Sequence, residues 1–260
     1  MGIGLATALT FGRMGARCTL TYKWGSADLD DVRKRFADIG APEPLILEAD
    51  VANAGDTAAL MAELKKRHDG IHAFISNVSN AVIIGSLDDY KFRGLVKSIE
   101  YSAWPLWEYT KTIHDVFGTW PKYVVGMSST GPDHYSAGYD FMAASKAVME
   151  TLVKYLNYRL FDEDCRINVL RSRTVKTESL RLTFSAEFET WSKPLMKESH
   201  WIPAQEVADA CVMLCSGLLD GVRGDVLTVD RGTQFFDDFM RLWTERFELG
   251  IDKPQREKTE

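Results

Sequence analysis

Tyr139 and Lys146 stand seven residues apart in the stretch YDFMAASK, with Met142 four residues before the lysine. A phenol can hold or give a proton at a carbonyl oxygen, and an ammonium can steady charge that develops beside it. On a helix, seven steps bring a side chain back to nearly the same face, about 10.5 Å further along. Both groups can then look into one cleft. Any two-turn pair does the same, so a piece of ordinary core helix stays open as the alternative. Further polar residues close apolar runs elsewhere: Lys23 after ARCTLTY, Asp50 after EPLILEA, Asn77 after IHAFIS, and Ser128 with Ser129 after PKYVVGM. Strand ends are polar in any protein, but four in series with a lysine-bearing helix behind the serines outline a site.

The elements that must position these residues alternate. GLATALTFGRMG reads as a helix ending at Gly15, DLDDVRKRFADIG as a helix opened by acids and closed by Gly40, and DTAALMAELKKRH as a third. A long helix is expected through FRGLVKSIEYSAWPLWEYTKTIHDVF and a strongly periodic one through YDFMAASKAVMETLVKYLNYRLF. Short continuous apolar strands fall between them, among them IHAFISNV, PKYVVGMSS, CRINVLRS and DVLTVD, with AQEVADACVMLCS as a helix before the last. Strands that are apolar throughout belong in a parallel sheet covered on both faces. The expected fold is α/β, a doubly wound parallel sheet, whose ligands sit outside the carboxyl ends of the strands. Residues 1–234 are expected to form this one domain, and 235–260 a C-terminal helical extension and tail.

Composition narrows the function. Across 260 residues the chain is 45% hydrophobic and 26% charged, with a formal charge of −6. That excludes a general nucleic-acid binder, which carries a basic face. Runs such as RKR at 33–35 and KKR at 65–67 read as solvated helix faces. Cys18, Cys165, Cys211 and Cys215 have no metal-site spacing, and the last two read as a buried stripe. No metal is expected. Free thiols suit a reducing cytoplasm, and no apolar run long enough to span a membrane is present.

The same residues resemble the short-chain dehydrogenase/reductase family from Gly2 to about Gly232. Gly2, Ile3 and Gly4 of MGIGLATAL look like the second half of its glycine-rich turn, where backbone approaches a pyrophosphate. Asp50 and Val51 match its adenine-side acid and neighbour, and Asn77 in SNVS stands in a degraded form of its next motif. VVGMSS ends at the family's serine, here placed at Ser128. RSRTVKT supplies Val175 and Thr177 on the cofactor side, although Ser172 and Arg173 replace a usual proline-glycine pair. LTVDRG resembles the last strand.

Most members place the tyrosine four residues before the lysine, at Met142 here. The seven-residue step is similar to that of the enoyl-acyl-carrier-protein reductases. The resemblance implies that Tyr139 meets the thioester carbonyl of an enoyl substrate, while Lys146 binds the nicotinamide ribose. The substrate would be an acyl thioester on acyl carrier protein or coenzyme A. A basic residue at the end of the second family strand accommodates a 2′-phosphate. Lys23, with Ser26 nearby, therefore favours NADPH over NADH.

A ketone or β-ketoacyl reductase, and a non-catalytic reductase-like binding or scaffold subunit, are the alternatives. Ser129 stands where many enoyl reductases have a second tyrosine, and Ser98 or Glu100 near the usual asparagine of the central helix. Tyr135 is a further candidate for the pocket. The family begins with a strand and Thr-Gly ahead of the turn, whereas this sequence opens inside the turn. Without that strand the sheet would be split where it would lie; the expectation is that Met1 is an internal residue of the turn, and the alternative is a damaged relative of the family.

The aromatic-rich stretch 180–195 is expected either to wrap an acyl chain or to pack on the domain. The tail is expected to cover a subunit or neighbouring surface. Helices over 88–117 and 139–162, with Trp104, Trp107, Tyr109, Tyr155 and Tyr158, are expected to pair with their copies in a homodimer or homotetramer.

Overall fold

The computed structural model describes residues 2–23, 28–80, 82–177, 180, 188 and 190–252. Met1, Ser26 and half of the stretch 180–195, residues 181–187 and 189, lie outside these residues. Among the described residues six strands are formed: β1 (Thr19–Tyr22), β2 (Leu45–Glu48), β3 (Ala73–Ser76), β4 (Tyr123–Ser129), β5 (Arg166–Ser172) and β6 (Val226–Val229). The helices are α1 (Ile3–Arg13), α2 (Leu29–Asp38), α3 (Ala54–Lys65), α4 (Phe92–Ser102), α5 (Trp104–Phe117), α6 (Asp140–Arg159), α7 (Ala204–Leu214) and α8 (Asp238–Thr244). Every strand pair is parallel. The architecture is the doubly wound α/β arrangement that the alternating pattern requires.

The ladder is divided. β1 pairs with β2, and β3, β4, β5 and β6 form a separate run in that order. Helices hold the two parts together from both faces. On one face α1 places Ala6 in a cluster with Val125, Met127 and Leu170, and Ala8 and Leu9 in another with Val32, Phe36, Leu20 and Ile46. On the other, Leu60 and Met61 of α3 and Tyr109 and Ile113 of α5 pack over Leu45, Leu47 and Phe74, which come from both parts. Apolar burial therefore crosses a gap that backbone hydrogen bonds do not.

α2 is capped by Asp28, whose carboxylate accepts from the N–H groups of Asp30 and Asp31 at 3.1 and 3.0 Å. Asn53 caps α3 in the same way. Such caps are each worth about 1 kcal/mol and fix where the helices start.

The long central helix of the sequence is two helices. Ala103, at φ −121° and ψ −52°, separates α4 from α5, and Pro105 opens the second. Proline lacks the N–H that would continue the ladder, and its ring clashes with the carbonyl four residues back. α6 begins at Asp140, with Tyr139 as its cap residue. Tyr109 does not join an outer aromatic face. It is buried, stacked on Phe74 at 5.5 Å, with its hydroxyl 3.3 Å from that of Thr57. Trp107 stacks on Trp120 at 6.3 Å, while Trp104, Tyr155 and Tyr158 are exposed.

Beyond β6, the Thr233 carbonyl accepts from Arg173, which follows β5, and Arg241 donates to the Leu195 carbonyl at 3.1 Å. These bonds fasten the segment that carries α8.

Gly126 marks the tightest packing of the central strand. A Cβ there would lie 2.6 Å from Leu106 Cδ1 and 2.8 Å from Met149 Sδ. Gly126→Ala should therefore cost about 1–3 kcal/mol through overpacking. Denaturant unfolding should show the loss as a lower midpoint at unchanged slope.

Candidate active site

The site lies at the carboxyl ends of the parallel strands. Gly2 enters α1 extended, at φ −92° and ψ 171°, and no side chain caps the helix. The first N–H groups of a helix have no partner within it, and they form a seat for an anion. A Cβ on Gly4 would meet Asn77 Nδ2 at 2.6 Å. Glycine thus lets the residue after β3 close on the start of α1. Gly4 and Asn77 come together at this end of the sheet, with Gly2 and Ile3 at the start of the same helix.

Lys23 and Asp50, at the ends of β1 and β2, form an ion pair shared with Tyr101. The lysine donates to the phenol at 3.0 Å, and the phenol to the carboxylate at 3.1 Å. Burial works to raise the Asp50 pKa, but hydrogen bonds from Lys23, the Ala52 N–H and Tyr101 bring it below the ordinary value. Tyr101 was not legible as a member of this group. Val51 is half-buried against the cluster of Leu60 and Met61.

Consecutive residues of a strand face opposite sides, and this separates the two serines. Ser128 points toward α6 and donates to Glu150 Oε1 at 2.6 Å. Ser129 points the other way, where its hydroxyl accepts from Tyr139 at 3.2 Å. The serine beside the tyrosine is therefore Ser129 rather than Ser128. Burial pushes the Tyr139 pKa up, and the hydrogen bond with Ser129 works against it. Lys146 is buried and donates to the Met127 carbonyl at 2.7 Å. Burial depresses its pKa to about 8, while the charge of Glu150 works to raise it. Met142 is also buried, and its sulfur accepts from the Ser79 hydroxyl at 3.1 Å. The position four before the lysine is thus filled by core.

Val175 is not a side chain of the site. It lies in the core with Ile202, to which its segment is bridged. Thr177 accepts from the Leu180 N–H at 3.2 Å. Glu100 and Tyr135 are exposed, whereas Ser98 is fully buried with its hydroxyl unpartnered. Sequence reasoning passed over Glu150, Arg171 and Asp133. The signals were a carboxylate one turn after Lys146 and an arginine inside the apolar run RINVLRS. Among the described residues no group of three His, Cys, Asp or Glu side chains could hold a metal ion, and no helix is long and apolar enough to cross a membrane.

A Rossmann-type sheet, a glycine turn at a helix start, and a tyrosine and lysine at the end of β4 define the short-chain dehydrogenase/reductase class. The family described as Enoyl-(Acyl carrier protein) reductase matches residues 1–234. An Enterococcus faecalis protein named enoyl-[acyl-carrier-protein] reductase [NADH] FabI is 24% identical over 84% of this chain and 86% of its own. A Staphylococcus aureus protein of the same name, marked [NADPH], is 23% identical over 89% of this chain and 94% of its own. The crystal structure of the Aquifex aeolicus NADH enzyme superposes with a TM-score of 0.76 at 24% identity, covering 90% of this chain and 92% of that one. The chain belongs to the enoyl-(acyl carrier protein) reductase family of short-chain dehydrogenases/reductases. It is an NAD(P)H-dependent oxidoreductase.

The two serines make separable predictions. Ser129→Ala removes a hydroxyl that can turn to donate to the phenolate and so offsets burial, and the Tyr139 phenol should titrate at higher pH than in the parent. Ser128→Ala should leave that midpoint where it is. Carbon-13 NMR of ring-labelled tyrosine reads both.

Proposed function

We propose that this chain reduces the carbon–carbon double bond of an enoyl thioester, with NADPH as the electron donor. The observation that carries the reading is the placement of the phenol. Met142 fills the four-residue position as core, and Tyr139 alone brings a hydroxyl from the start of α6 to Ser129. Drawn back along the helix, the tyrosine suits a substrate whose reacting carbon lies two bonds beyond the carbonyl. The enoyl reductase names of the relatives support the same substrate class.

The residues present fit a dinucleotide. The uncapped start of α1 and the glycine at position 4 suit a pyrophosphate, and Lys23, Asp50 and Tyr101 suit the adenosine end. Asn77, Lys146 and Thr177 would face its nicotinamide half. When bound, the nicotinamide supplies a hydride to the β-carbon. Tyr139, kept protonated by burial, donates to the carbonyl oxygen and holds the charge that develops there. Lys146 adds positive charge beneath it.

Lys23 is the basic residue that favours the 2′-phosphate of NADPH, although a phosphate must share it with Asp50. Relatives bearing either cofactor in their names match this chain. Acyl carrier protein or coenzyme A would carry the substrate. Residues 235–252 would form an appendage to the reductase domain.

The test is turnover of crotonyl and longer enoyl thioesters against β-ketoacyl thioesters and ketones, each with NADPH and NADH. Enoyl substrates should be consumed and NADPH preferred, and Tyr139→Phe should lower kcat by about 10²–10⁴-fold. Reduction of ketones alone would overturn the substrate assignment. Failure to bind either dinucleotide in a fluorescence titration would return the scaffold alternative.

The exposed Trp104, Tyr155 and Tyr158 on α5 and α6 support a two-fold assembly through these helices. Light scattering should give at least a homodimer at micromolar concentration, and a stable monomer would refute it.

A further inference from the structure

The turn that follows β4 is built around the Tyr139 ring. A Cβ on Gly131 would lie 2.8 Å from Tyr139 Cε1, 2.9 Å from its Cδ1 and 3.1 Å from Ala143 Cβ. The backbone at 131 therefore presses on one edge of the ring, closer than any residue with a side chain could. The Gly131 N–H also donates at 3.4 Å to the Ser129 hydroxyl, which accepts from Tyr139 at 3.2 Å. Gly131 thus meets the ring directly and the phenol oxygen through Ser129.

Such a contact positions the ring only if the turn is itself held. The N–H groups of Asp133 and His134 both donate to the Thr130 carbonyl at 3.0 Å, which closes residues 130–134 into one turn. The Asp133 carboxylate accepts from Arg171 Nη1. The other two nitrogens of that guanidinium go to α6, Nε to Glu150 Oε1 at 3.0 Å and Nη2 to Oε2 at 2.6 Å. Arg171 is buried in β5, and its planar fork ties the turn to the helix that Tyr139 opens. The path closes on itself, from Tyr139 through Gly131, Asp133, Arg171 and Glu150 back to α6.

We propose that the turn 130–134 is the platform that positions the Tyr139 phenol over Ser129, with Gly131 as its face and Asp133, held by Arg171, as its anchor. Both are positioning residues. The catalytic consequence rests on the proposed reductase reading, whereas the placement of the ring does not.

The anchor decides what yields when the contact is overfilled. Ala143 is fixed in the helix, and the main chain beside Tyr139 is held by the Ile84 N–H, which donates to the Gly138 carbonyl at 3.1 Å. A Cβ at 131 must then displace either the ring or the turn. With Asp133 on Arg171 the turn stays and the ring moves. With that tie cut, the turn gives way. The two substitutions are therefore coupled, not additive.

The test compares Gly131→Ala, Asp133→Ala and the double variant with the parent, by crystal structure and by enoyl thioester turnover. In Gly131→Ala the phenol oxygen should leave Ser129 by about 1 Å and kcat should fall about 10²-fold, with KM near the parent's. Asp133→Ala should lower kcat about tenfold, and the double variant should lose at least about threefold less than the product of the single losses. An unmoved phenol in Gly131→Ala, or losses that simply multiply, would overturn the proposal. A turn that served folding alone would lower the unfolding midpoint and leave the phenol and kcat where they are.

Should Gly131→Ala fail to fold, Asp133→Ala decides by itself, since the Asp133 side chain is half exposed. Its nuclear Overhauser contacts between Gly131 and the Tyr139 ring should weaken, and Asp133→Asn, which keeps an oxygen for Arg171, should recover part of the lost kcat. Intact contacts and parental kcat in Asp133→Ala would overturn the proposal. A parent chain without NAD(P)H turnover would count against the proposed function, while the position of the ring still decides this inference.

Discussion

The seating of α6 on β4 and β5 is the constraint on which the rest of the site depends. Gly126 leaves room for Met149, and Val153 follows one turn later against Val124, Ile167 and Val169. With that apolar contact made, Lys146 falls beneath the Met127 carbonyl and Glu150 falls against Ser128 and Arg171. The start of the helix then brings Tyr139 over Ser129. A slip of the strand by one residue would exchange the faces of Ser128 and Ser129 and undo both arrangements. Packing and chemistry are set by one register.

The divided sheet makes the helices matter more than usual. β1 and β2 carry Lys23 and its approach to Asp50, while β3 and β4 carry Asn77, Ser129 and the floor beneath Tyr139. Across that division, α1 on one face and α3 with α5 on the other bury apolar residues of both parts. The adenosine-side and reacting-side residues therefore owe their relative placement to side-chain packing. Gly4 leaves the room that Asn77 occupies where the two halves of the cradle meet.

Much of this was legible in the sequence, because strand and helix periodicities differ and apolar runs without polar alternation imply burial on both faces. The alternating elements and the Tyr139–Lys146 spacing could be read from residue types, while the glycine turn and the division of the sheet followed from the resemblance to the family. Contacts fixed by three-dimensional register could not. Ser128 and Ser129 are indistinguishable until β4 is aligned with α6, and only the fold shows that the Val175 side chain packs in the core while its segment bridges to Ile202. The long helix looked continuous because its apolar period runs through Pro105, which nevertheless breaks it. Tyr109 looked like a surface aromatic because a helix pattern does not say which face meets the sheet. Arg171 and Glu150 are charges in apolar runs, legible as anomalies, but only the β4–β5 register shows that they satisfy each other.

The central claim is that the phenol of Tyr139 serves a carbonyl oxygen while reduction occurs at the carbon two bonds away. The most direct measurement locates the transferred atom, using cofactor deuterated at C4 of the nicotinamide and an unsaturated thioester substrate. NMR of the product should find deuterium at the β-carbon of a saturated acyl chain, with the thioester intact. Deuterium at the carbonyl carbon, with the double bond retained, would contradict the account.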